Sequence, residues 1–87
     1  MKIKSEFKLR KVAGEYVAMA SGAESRRING TIMLNESGAL LWNAAVNECT
    51  RDDLIQVLKN EYGIDDIKAA AGVDKFITTM TENEIFE

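Results

Sequence analysis

Histidine and proline are absent from these 87 residues, and cysteine occurs once, as Cys49. Without histidine the commonest general base is missing and a zinc site has almost no ligands. A nucleophile needs a base beside it; only lysine or carboxylate bases remain, and no motif supports one. The six glycines stand scattered at 14, 22, 30, 38, 63 and 72, whereas phosphate loops need them clustered before a helix. Asp65-Asp66 lacks the spaced oxygen ligands and glycine turn of a calcium loop. No run approaches 18 apolar residues, so no transmembrane helix is expected. The N-terminus, Met1-Lys2-Ile3-Lys4-Ser5-Glu6, is charged and lacks an apolar signal core. A lone cysteine cannot form an internal disulfide, which fits a reducing, cytoplasmic compartment. Cys49 follows Glu48 at an expected helix end, where negative charge raises its pKa and makes it an inert structural thiol. The net charge of −3 argues against a nucleic-acid partner, which needs a basic field. These absences exclude the usual catalytic constellations, so we expect neither an enzyme nor a cofactor or metal. Function has to be sought in shape and surface.

What is present suits one small domain spanning residues 1–87. Its 46% apolar and 29% charged residues are globular proportions. A chain this short buries only about 60–65% of its unfolded surface, so its stability margin is thin.

The first third alternates. Phe7, Leu9 and Val12 are set against Lys8, Arg10 and Lys11, the pattern of a half-buried strand. Ala13-Gly14-Glu15 makes a tight turn, and Tyr16-Val17-Ala18-Met19-Ala20 returns as a hairpin. Ser21 to Ser25 is a polar loop; Arg26 to Gly30 either continues it or begins a strand. Gly30-Thr31-Ile32-Met33-Leu34 reads as the third strand.

The rest is helical. Leu34-Asn35-Glu36-Ser37-Gly38-Ala39-Leu40-Leu41-Trp42 is the most informative stretch, because it joins the strands to the helices. Asn35 and Ser37 offer capping oxygens, and the first helix runs from about Ser37 to Asn47. Leu41, Trp42, Ala45 and Val46 form its apolar face. Thr50-Arg51-Asp52-Asp53 is close to a capping box, and its acids complement the helix dipole. Leu54, Ile55, Leu58 and Tyr62 face the core from helix two. Gly63 stops that helix, and Asp65 caps the third. Ala69, Val73, Phe76 and Met80 line one face of helix three. Asn83 can end it in the left-handed conformation, and Ile85-Phe86 folds back on the core. The expected architecture is α+β and winged-helix-like: a three-stranded antiparallel sheet followed by three helices.

Three surface features remain. Arg26-Arg27 is either a solubilising patch or an anchor for an acidic partner. Gly72, in mid-helix at a cost of about 1 kcal/mol relative to alanine, is either a packing notch or a smooth spot where another chain approaches. Lys68, Gly72, Lys75 and Thr79 lie on one stripe beside the apolar face. That stripe is either a snorkelling rim or one wall of a peptide groove. Strand three, an edge strand if the sheet order follows the chain, is the other wall. An extended peptide can add to such an edge.

The chain resembles the PqqD family, the small domains called RiPP precursor peptide recognition elements, over nearly its whole length. The carrying residues are Leu9 to Val17 in the hairpin, Leu34 to Trp42 at the junction, and Thr50-Arg51-Asp52-Asp53-Leu54 with Leu58 and Tyr62 in helix two. Val73 to Ile77 followed by Met80-Thr81-Glu82-Asn83 completes the set. One departure is the absence of glycine in Val46-Asn47-Glu48-Cys49, where Asn47 can take the turn. The resemblance implies a noncatalytic adaptor. It binds the leader of a ribosomally made precursor peptide and presents it to a modifying enzyme, often a radical S-adenosylmethionine protein. The leader is expected to add as a strand beside Arg27, Ile28, Gly30, Thr31, Ile32, Met33 and Leu34. Lys68, Gly72, Val73, Lys75, Phe76 and Thr79 would line the opposite wall. The protein is expected to be a monomer or weak homodimer, with no membrane or nucleic-acid partner. The competing readings are a winged-helix nucleic-acid-binding regulator and a scaffold that dimerises through its strand edge.

Overall fold

A computed structural model describes residues 1–20 and 32–87. The element order is β1 (Phe7–Val12), β2 (Glu15–Ala20), β3 (Ile32–Leu34), α1 (Glu36–Ala45), α2 (Arg51–Tyr62) and α3 (Asp66–Glu82). The strands form one antiparallel sheet in the order β1-β2-β3, so β3 is an edge. The helices pack on one face of that sheet, where α1 meets β3 and Phe7 and Ala18 join the core.

The hairpin is set by its turn. Val12 pairs with Glu15, leaving Ala13 and Gly14 as the loop, and both have positive φ, 52° and 83°. That is the twisted two-residue turn that suits strands of right-handed twist. The register then fixes the faces. Phe7 and Leu9, opposite Ala20 and Ala18, turn to the helices, while Lys8 and Arg10, opposite Met19 and Val17, turn outward. Val12 shares the outward parity and is 54% exposed. This corrects its expected place on the inner face, since period-two spacing from Phe7 and Leu9 reaches Lys11 and not Val12.

Each helix start is capped as its sequence dictates. Asn35 accepts from the Gly38 amide at 2.8 Å and from the Ser37 hydroxyl at 2.9 Å. Thr50 and Asp53 close a reciprocal capping box, with bonds of 2.8 and 3.1 Å. Asp65 accepts from the Lys68 amide at 2.8 Å. Gly63 ends α2 in the left-handed conformation.

The end of α3 differs from expectation. Asn83 has φ −98°, and the left-handed residue is Glu84, at φ 53°. The amide of Glu84 donates to Thr81 and that of Ile85 to Met80. These two bonds make a Schellman motif, which places the left-handed turn one residue later. Its hydrophobic clasp is the pair Met80 and Ile85, both fully buried. The loop between α1 and α2 also needs no glycine, because no residue in it has positive φ.

The core joins Phe7 and Ala18 of the sheet to Leu41, Trp42, Ala45, Leu54, Ile55, Leu58, Ala69, Val73, Phe76, Met80 and Ile85. Phe86 packs edge-on against Phe76 with ring centroids 6.2 Å apart. Its backbone bridges to Ile3, a pairing of the two ends of the chain that periodicity did not reveal. Two expected core residues stay outside: Val46 is 48% and Tyr62 44% exposed. Val46 sits at the C-cap of α1, past the last residue that the helix holds against the core. Tyr62 ends α2 beside solvent.

Cys49 is buried, and its thiol donates to the Met1 carbonyl at 3.4 Å. Burial, more than neighbouring charge, pushes its pKa up. A thiol whose folded pKa is raised contributes stability below its unfolded pKa and loses it as pH rises through the folded value. We therefore expect Cys49 to resist iodoacetamide near neutral pH in the folded protein and to react readily in urea. Stability should fall above about pH 9, the range of an unperturbed thiol. Equal alkylation rates in both states would contradict this burial.

Candidate functional site

A groove of about 770 Å3 lies between β3 and α3. It is built from four short segments. The hairpin turn contributes Lys11, Gly14, Glu15 and Tyr16. Met33 and Leu34 come from β3, and Asn35 to Gly38 with Leu41 come from the junction and α1. The far wall is Gly72, Lys75, Phe76 and Thr79 of α3, one helical stripe.

Local sequence explains these positions. In the β2–β3 ladder Leu34 lies opposite Tyr16, which brings the hairpin turn to the junction. Asn35 is consumed by capping, so the chain reverses there and α1 leaves along the groove floor. Gly38 fits closely in the first turn of α1. A side chain there would place its Cβ 3.2 Å from the Asn35 oxygen and 3.3 Å from Leu34 Cβ. Gly72 is a notch in α3. A Cβ there would stand 3.2 Å from Leu58 Cδ1, so the packing reading of this glycine is met. The same residue also leaves the groove wall low.

The groove is amphipathic. Leu34, Leu41, Phe76 and the Tyr16 ring give it an apolar floor. Lys11 and Lys75 oppose Glu15 and Glu36, so neither sign dominates. The Lys11 ammonium lies 5.3 Å from the Tyr16 ring centre, a cation–π contact worth about 0.5–1 kcal/mol at an exposed site. Thr79 donates its hydroxyl to the Lys75 carbonyl at 3.0 Å. Nearby, partial desolvation raises the Tyr62 hydroxyl pKa, with Glu36, Glu61 and Tyr16 adding to it.

Among the residues expected to line such a site, Met33, Leu34, Gly72, Lys75, Phe76 and Thr79 come together here. Ile32 pairs with Ala18 and packs on the core. Val73 is fully buried and forms the helix's inner face instead. Lys68 is exposed at the start of α3 and does not line the groove. Arg27, Ile28, Gly30 and Thr31 lie outside the described residues. Sequence reasoning missed the contribution of the hairpin turn. Only the β2–β3 register reveals it, because Tyr16 and Leu34 are 18 positions apart in the chain. The junction was legible as a joint but not as a groove wall.

Among the described residues, no helix is long and apolar enough to cross a membrane. No group of three or more His, Cys, Asp or Glu is placed to hold a metal ion there.

Comparison with known proteins gives the frame for this groove. Among solved structures, the chain is similar to TbiB1 in complex with the TbiA(beta) leader peptide. The match has a TM-score of 0.77 at 16% identity and covers 100% of this chain and 95% of that one. It is also similar to lasso peptide synthetase B1 complexed with the leader peptide. There the TM-score is 0.73 at 19% identity, over 97% and 93% of the two chains. At these identities the likeness establishes the fold. No curated protein matches the sequence. Residues 14–85 match the profile of the family described as coenzyme PQQ synthesis protein D (PqqD). That match spans the second strand, the junction and all three helices, and the chain belongs to the PqqD family.

Proposed function

We propose that this protein is a noncatalytic adaptor for a ribosomally synthesised precursor peptide. It captures the leader as an added strand along β3, in the groove against α3, and presents the core of the precursor to a modifying enzyme. A radical S-adenosylmethionine enzyme is the class the family favours. The observation that carries this reading is the groove itself. It runs beside a strand edge that is unpaired among the described residues, has an apolar floor, and is faced by a helix stripe with a glycine in it. Backbone hydrogen bonds along the edge supply affinity, and the floor selects side chains. Both similar structures, in which leader peptides are bound, lend it further support.

A nucleic-acid role has no support in the surface of α2. Asp52, Asp53 and Glu61 outnumber Arg51 and Lys59 there. The Arg51 guanidinium is moreover engaged by Asp74 through two bonds of 2.7 and 3.0 Å.

The test is an amide NMR titration of the labelled protein with the leader peptide encoded nearest its gene. Shifts should concentrate at residues 32–38, 72–79 and the hairpin turn at 11–16. Shifts confined to other surfaces would discard this site, and none at high peptide concentration would discard the function.

A further inference from the structure

We propose that the outward face of the sheet docks the modifying enzyme, through an enzyme patch that is acidic and apolar, and that a leader added to β3 becomes part of this surface. The inference rests on the strand-addition reading above.

Strand alternation turns Lys8, Arg10 and Val12 of β1 outward, together with Glu15, Val17 and Met19 of β2 and Met33 of β3. The helices cover only the opposite face. Val12, Met19 and Met33 are 54%, 41% and 53% exposed, half of the large hydrophobics that stand exposed among the described residues. Apolar side chains gathered on one open face mark an interaction surface, and methionine and arginine are typical of interface cores.

Charge identifies the partner. Residues 1–35 hold seven of the eleven Lys and Arg and only three of the fourteen acids, a net +4; residues 36–87 carry a net −7. Two of those cations, Lys8 and Arg10, stand on this face, with Glu15 opposite Val12 at its hairpin end, in a molecule whose net charge is −3. Like charges set against each other across an interface are repulsive. Two-fold docking of the face on itself would oppose Lys8 and Arg10 to the same residues of a second copy, so it suits a carboxylate-bearing partner better.

Met33 links this face to the groove, since it also lines the groove wall. A strand paired with β3 would point every second side chain outward, level with Met33 and Val17. The enzyme would then meet protein and leader side chains on one continuous surface. Leader binding and enzyme binding are consequently coupled, each strengthening the other by the same factor.

The test uses the full chain, the leader peptide and the purified modifying enzyme encoded beside it. The double variant Arg10→Glu, Met19→Asp alters the face and leaves the groove residues alone. Leader affinity should stay within about twofold of wild type, while enzyme affinity falls about tenfold or more, as for a central contact in an interface. In the wild type, leader should tighten enzyme binding by about fivefold, the lower end of usual couplings. If the double variant melts early, Arg10→Gln, Met19→Gln tests the same face without charge reversal. Unchanged enzyme affinity in a folded variant overturns the proposal, as does an enzyme that does not bind the wild type. A concentration-dependent mass, lost in the variant, assigns the face to a second copy and also overturns it. Loss of leader binding in the wild type would instead sink the groove reading, and enzyme affinity without leader would still report on this face.

Discussion

Proline at one of two adjacent positions, Ile32 or Met33, is expected to weaken leader capture by roughly tenfold or more in a protein that still folds. Along an antiparallel strand, successive residues turn their N–H groups alternately to the paired neighbour and to the open side. Among the described residues β3 has only β2 as a neighbour. One of the two N–H groups therefore belongs to the β2–β3 ladder, and the other points to the free edge. Proline removes the donor and is tolerated where that donor faces away from the sheet. The outward variant should keep its melting curve and lose leader affinity by roughly tenfold or more. It forfeits a backbone hydrogen bond worth about 0.5–1.5 kcal/mol, and its ring obstructs the approach of the added strand. The inward variant should lose stability instead. Calorimetry with the leader peptide, read beside a thermal melt, separates the two. If the folded variant binds as tightly as wild type, strand addition at β3 is wrong.

Trp42→Ala should unfold the domain or nearly so. Trp42 is 2% exposed and belongs to the central cluster. Truncating a buried aromatic to alanine costs about 3–5 kcal/mol. A domain of this size has a total stability of about 4–13 kcal/mol, at 0.05–0.15 kcal/mol per residue. With a urea dependence near 1 kcal/mol/M, the midpoint should fall by roughly 3 M, or the cooperative transition should vanish. A shift under about 1 M would mean that α1 does not anchor the core.

The sequence was legible wherever the signal was local. The capping oxygens of Asn35, Thr50 and Asp65 act within three or four residues of their own position, and each caps the helix expected of it. Gly63 stops α2 because it alone there reaches positive φ without a Cβ penalty. Errors arose where two local solutions compete. Asn83 and Glu84 both follow α3, and burial of Ile85 against Met80 decides the turn in favour of Glu84. Val12 follows a plausible apolar pattern but has the wrong parity. Val46 continues the apolar stripe of α1 but lies where the helix already ends.

The candidate site divides the same way. The α3 wall of Gly72, Lys75, Phe76 and Thr79 was readable, because a helix fixes its own faces through a period of 3.6 residues. The strand wall was readable as an edge, given the order of the chain. The hairpin turn and the junction joined the site only through pairing between Tyr16 and Leu34, and the outward face emerged only from the same register. By itself, the sequence determined that the chain has no histidine and a single cysteine, that strands precede helices, and where most helices start and stop. Those properties follow from residue chemistry and short-range hydrogen bonds. Tertiary structure alone decided which strand edge stays open, which segments meet around it, and which apolar residues remain outside. Those depend on contacts between residues distant in the chain, which no periodicity encodes.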